Sequence, residues 1–83
     1  MGERGEIRLL PGQWRALERS LHSPERIVVG QVGVSQEVAA LFVQRGVWEK
    51  TVQEEIFRGL HWRYRLTDFG REMLALHQQR DAP

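Results

Sequence analysis

Between Ile56 and Leu66 the chain interleaves Arg58, His61, Arg63 and Arg65 with Phe57, Trp62 and Tyr64. Cations gathered in one short stretch are suited to neutralising phosphate oxygens. The stretch is also uncompensated. Residues 56–66 hold three basic and no acidic groups, whereas 1–33 hold five and four, 34–55 two and four, and 67–83 two and three. The formal net charge of +1 therefore hides a local positive field, while it excludes the overall balance of a histone-like or polybasic protein.

Other chemistries find no support. With no cysteine there is no disulfide framework, no zinc ribbon and no thiol nucleophile. His22, His61 and His77 fall on three separate segments, His22 at the expected end of a helix, where a cation is favoured, and His77 on an inward-facing stripe. The carboxylates are dispersed, no Ser-His-Asp arrangement is evident, and Gly30-Gln31-Val32-Gly33 does not resemble a phosphate-cradling loop. No catalytic residue, metal site or cofactor is expected, and the chain reads as something other than an enzyme.

The elements that must carry the basic stretch belong to one small domain. A chain of 83 residues, 41% hydrophobic, has a thin core, because a domain of this size buries only ~60% of the surface its unfolded form exposes. A single domain over 1–83 is expected, with an ordered core over about 8–78. Leu10, Trp14, Leu17 and Leu21 recur at helical spacing behind Pro11, and Ser23-Pro24 should end that helix. Arg26 to Gly33 is β-branched and glycine-punctuated, which predicts a short strand or an extended piece. Ser35 is placed to cap a second helix over 35–45, with Val38, Leu41 and Phe42 facing inward and Gly46 stopping it. Its opposite face, Gln36, Glu37, Ala40, Val43 and Gln44, is small, polar and nearly uncharged.

After Gly46 the period changes to two. Trp62, Tyr64 and Leu66 alternate with His61, Arg63 and Arg65, so a strand is predicted with Val47 to about Gln53 as its antiparallel partner. Gly59 is available for a positive φ in the hairpin connection. A competing pattern is present, since Thr51-Val52-Gln53-Glu54 has the form of a capping box and would make part of 51–60 helical. Trp48 and Trp62 are both expected in the core, given how few large side chains the domain has. Thr67 and Asp68 open a last helix with Leu66, Phe69, Met73, Leu76 and His77 inward, and the polar tail from Gln78 should fray. Gly70 lies on the inward stripe, and its ~1 kcal/mol cost against alanine implies a close backbone approach.

Two stretches resemble a known family. Phe42-Val43-Gln44-Arg45-Gly46-Val47-Trp48-Glu49-Lys50 is similar to the segment that leads from recognition helix into wing in winged-helix domains, where an Arg-Gly turn follows the helix. Tyr64-Arg65-Leu66-Thr67-Asp68-Phe69-Gly70-Arg71 closely resembles the Tyr-x-Leu-Thr-x-x-Gly-Arg entry to the last helix in MarR-like and PadR-like members. Twenty residues separate Gly46 from Thr67, about the length of a wing hairpin. The resemblance implies a small α+β winged-helix domain: helix, short strand or extended piece, helix, β-hairpin wing, helix. Those families place two helices between the first helix and the Arg-Gly turn, but the 23 residues between His22 and Gly46 read as one helix after an extended piece.

The resemblance further implies a DNA-binding regulator of transcription, with helix 35–45 in the major groove and the hairpin tip 55–63 on the neighbouring backbone. Gln36 and Gln44 would then read adenine, Arg58, His61 and Arg63 would meet phosphates of double-stranded DNA, and Arg45 would be a further DNA-binding residue. A different use of the cations stands beside this one: Glu49, Glu54 and Glu55 on the opposing strand can pair with Arg63 and Arg65. The rival function is a protein-binding winged helix, an accessory or phage-type inhibitor docking on a larger machine or pairing as a homodimer, through Ala40, Val43, Phe57 and Leu60. No apolar run approaches the ~20 residues that span a bilayer, and Met1-Gly2-Glu3-Arg4 lacks a signal peptide's apolar stretch, so a cytoplasmic location without membrane partners is expected.

Overall fold

The computed structural model describes residues 7–56 and 58–81. In chain order they form α1 (Pro11–Arg19), a 3-10 turn (Ser20–His22), β1 (Ile27–Val28), α2 (Val29–Val32), α3 (Gln36–Gln44), β2 (Trp48–Ile56), β3 (Gly59–Leu66) and α4 (Asp68–Asp81). The architecture is a small α+β one, four α-helices and a three-stranded antiparallel sheet of order β1-β3-β2.

Pro11 takes the first position of α1, where its missing N–H costs nothing, and the Leu10 N–H donates to Gln13 Oε1 at 2.9 Å. Only the middle of the expected inward stripe is inside. Leu17 is buried and Trp14 half-buried, whereas Leu10 is 66% and Leu21 40% exposed. The regular helix is too short to carry the stripe at either end. Leu10 precedes the first helical residue, and the 3-10 turn advances each residue by about 120° instead of 100°, which turns Ser20 inward in place of Leu21. The helical stretch stops at His22, ahead of Ser23-Pro24, as the proline requires.

The segment 26–33 is extended only at Ile27–Val28, and the rest is a helical turn, α2. Intrinsic preference loses there to packing. Val29 and Val32 pack on the core, Gly33 ends the turn at φ +71°, and Arg19 Nε donates to the Val32 carbonyl at 3.1 Å. Two helices rather than one thus lie between α1 and Gly46. In α3, Ser35 Oγ accepts from the Val38 N–H at 3.1 Å, and the far end closes with Val47 N–H on Phe42 O and Gly46 N–H on Val43 O, Gly46 being at φ +82°.

The inward face of α3 is turned from the expected one. Ala39 and Phe42 are fully buried and Val38 and Val43 pack beside them, while Leu41 stands outside the packed cluster. Val43 therefore does not belong to the solvent face. The small Ala39 side chain is the cause, since it lets the helix backbone approach the core along its own line and swings Leu41 off it.

The hairpin is β throughout, so the capping-box pattern at 51–54 does not nucleate a helix. Trp48 pairs with Leu66 and Lys50 with Tyr64, but Gln53 pairs with Trp62, so β2 carries one extra residue against Arg63. That bulge reverses the alternation. Trp48, Lys50, Gln53 and Glu55 share a face with Leu66, Tyr64, Trp62 and Leu60, and Glu49 and Glu54 share the outer face with Arg65, Arg63 and His61. At the tip the positive φ belongs to Arg58, at +67°, and not to Gly59. Trp48 lies in the core, but Trp62 is 36% exposed, because it sits beyond the helices that cover Tyr64 and Leu66. Lys50 Nζ stands 4.7 Å over its ring instead.

Thr67 Oγ1 accepts from the Gly70 N–H at 2.9 Å and donates to the Gly46 carbonyl at 2.6 Å, tying the start of α4 to the end of α3. Met73 and Leu74 are buried, and Leu76, expected inside, is 40% exposed. The helix continues through Gln78 to Asp81, past the point where fraying was expected. His77, half-buried, stacks on Trp14 with ring centres 4.0 Å apart and joins α4 to α1.

Candidate functional site

Two surfaces carry the sequence candidates. The first is the solvent face of α3, where Gln36, Ala40 and Gln44 follow one another at four-residue spacing and Glu37 and Arg45 flank them, all exposed. Among the described residues no side-chain hydrogen bond or ion pair engages Gln36, Gln44 or Arg45. The face is set by its caps and its core contacts: Ser35 and Gly46 fix where the helix starts and stops, and Phe42 packs edge-on to Trp48, ring centres 4.9 Å apart.

The second surface is the hairpin, whose two faces differ. On the face shared with the core, Lys50, Gln53, Trp62 and Leu60 run outward beyond the body, Leu60 67% exposed. On the outer face the cations are largely spent. Arg65 Nη2 reaches Glu49 Oε2 at 3.0 Å, and that bond, followed by the charge of Glu49, raises the Arg65 pKa further. Glu54 accepts both oxygens' worth of bonds from Arg26 Nη2, at 3.0 and 2.9 Å, and lies 3.4 Å from Arg63 Nε. Arg63 and Arg65 thus pair across the strands with Glu54 and Glu49, whereas Glu55 faces Leu60.

Arg58 in the turn and His61 beside it have no ion pair among the described residues. Phe57 lies outside the described residues. The candidates Gln36 and Gln44 therefore share the exposed face of α3 and Arg45 caps its end, Arg58 and His61 stand at the tip, and Arg63 is held on the outer face. Arg26 is the residue that sequence reading missed: 28 positions from Glu54, it has no local pattern to announce it. Burial raises the Tyr64 phenol above its ordinary pKa.

Among the described residues no group of three or more His, Cys, Asp or Glu side chains is placed to hold a metal ion, and no helix is long and apolar enough to cross a membrane. No protein-family model, curated protein or solved structure matches the chain.

Proposed function

We propose that the chain is a winged-helix domain that binds duplex DNA, with α3 in the major groove and the β2–β3 hairpin as the wing. The order of elements and the β1-β3-β2 sheet are compatible with that fold, and α2 and α3, joined by the turn at Gly33, give it the helix pair that the sequence did not lead one to expect. One observation carries the functional reading: α3 presents unpartnered Gln36 and Gln44 on one exposed face and runs through Arg45 into a projecting hairpin whose turn holds Arg58. Glutamine amides can make paired bonds to adenine and guanidiniums can contact phosphate.

Binding to a mixed-sequence duplex at two salt concentrations tests it. Arg45→Ala and Arg58→Ala are each expected to weaken binding about equally on all sequences and to lower the salt slope by ~1, and Gln36→Ala or Gln44→Ala to relax preference at single base pairs by ~1–3 kcal/mol. Absence of any salt-dependent duplex complex at low ionic strength overturns the reading.

A second reading is favoured by the pairing of Arg63 and Arg65 with carboxylates and by Glu37 on the face of α3. In it the same surface, with exposed Ala40 and Leu60 and the partly exposed Trp62, docks on a protein. Ala40→Glu is then expected to keep the circular dichroism spectrum and abolish association in ultracentrifugation or a pull-down. Val43 is unsuitable for that test because it packs on the core.

A further inference from the structure

The outer face of the hairpin is unbalanced at one point. Glu49 and Arg65 make a one-to-one pair, but Glu54 serves two guanidiniums, Arg26 and Arg63. Both of its oxygens are directed to Arg26, at 2.9 and 3.0 Å. Arg63 Nε is near enough for attraction, 3.4 Å, yet its N–H is buried and aimed at no acceptor among the described residues. The cluster is thus one negative charge and one acceptor short. A buried donor without a partner is costly and uncommon.

The groups around it are not of a kind to fill the gap. His61 stands opposite Glu54 in the register and can offer no negative charge, and neither can Thr51, whose hydroxyl donates to the Arg63 carbonyl across the bulge and is not engaged by Arg63 Nε–H. A tetrahedral anion supplies what is lacking, because guanidinium forks bind phosphate oxygens in pairs.

We propose that Arg26 and Arg63 form a phosphate-binding site, occupied in the free protein by the Glu54 carboxylate as an internal stand-in for the ligand. Phosphate takes over the two bonds from Arg26 and accepts from Arg63 Nε–H. Glu54, whose side chain is 33% exposed, moves out to water. The β2 bulge is what places Glu54 there, since without the extra residue its side chain would fall on the opposite face, away from Arg63. The phosphate comes either from inorganic phosphate or from a duplex backbone. The second source rests on the DNA-binding reading; the first does not.

Titration of the whole chain with inorganic phosphate, followed by the Nε–H resonances of the arginines and compared with sodium chloride at equal ionic strength, separates the two. The expected result is a phosphate-specific, saturable shift at Arg63 that Glu54→Gln tightens about fivefold, the loss of one competing ion pair, and that Glu49→Gln leaves unchanged. In duplex binding Glu54→Gln is expected to raise the salt slope by about 1, and Arg63→Ala to lower it more in the Glu54→Gln background than in the wild type. A phosphate response at Arg63 without duplex binding keeps the site and refutes the DNA reading. Duplex binding with no phosphate-specific shift at Arg63 refutes the site and keeps the DNA reading. Arg63→Lys, which keeps the charge but not the Nε–H, should lose the tight response as read at the remaining Arg26 Nε–H resonance; an Arg26 titration equal to wild type overturns the proposal even if Glu54→Gln does not fold.

Discussion

Gly70→Ala is expected to lower stability by about 1–3 kcal/mol, and Gly70→Leu by more, because both overpack the junction between the hairpin and α4. A Cβ built at Gly70 lies 2.5 Å from the Val47 carbonyl oxygen, 3.2 Å from its carbon and 2.8 Å from Leu66 Cδ1. The leucine end can turn aside. The carbonyl cannot, since it already accepts the Thr67 N–H at 3.0 Å, and Thr67 in turn caps α4 and bonds Gly46. The sign of the effect makes the measurement decisive. Elsewhere in a helix the same substitution is worth about +1 kcal/mol from propensity, so a denaturant midpoint at or above wild type would mean that the backbone of Val47 does not approach α4 as described.

Gly70 was legible in the sequence for that reason: a poor helix former on an inward stripe is informative only if something must come close. Ser35, Gly46 and Thr67 were legible as caps because each supplies one atom or one conformation that few other residues supply. The alternation from His61 to Leu66 announced β3 in the same way. What remained hidden was settled by packing. The two valines of Val29-Gly30-Gln31-Val32 favour extension, and it is their contacts with the core that accompany a helical turn instead. The phase of α3 turned on Ala39, too small to stand out in a pattern of large apolar residues.

The candidate surface divides along the same line. Exposure of Gln36, Gln44 and Arg45 follows from their position on a helix whose ends were readable, but the fate of Arg63 depended on a single extra residue in β2 and on Arg26, far away in sequence. The pairing of Glu49 and Glu54 with the basic strand was foreseeable from composition. That Glu54 would serve two arginines was not.

Trp48→Ala is expected to unfold the domain or nearly so. Removing a buried tryptophan costs about 3–5 kcal/mol, against a total of roughly 4–12 kcal/mol for a chain of this length. Trp48 is 1% exposed and holds three elements at once. Its ring meets Phe42 of α3 edge-on at 4.9 Å and Tyr64 of β3 at 5.1 Å, and its Nε1 donates to Ser20 Oγ in the 3-10 turn at 3.4 Å. Ser20 is itself buried and passes its own proton to the Leu17 carbonyl, so the indole N–H supplies the donor that its second lone pair needs. Trp48→Phe keeps both ring contacts and loses that bond, and it should fall between wild type and Trp48→Ala. Trp62→Ala is the matched comparison. It removes the same residue type from the same hairpin, but from a position 36% exposed beneath Lys50, and its cost should stay near ~0.5 kcal/mol. Guanidinium titrations of the three variants decide the matter: if Trp62→Ala is the more damaging of the two alanine changes, the hairpin is packed on the body through the wrong ring, and the exposure of its projecting half, on which both readings of its function depend, is lost with it.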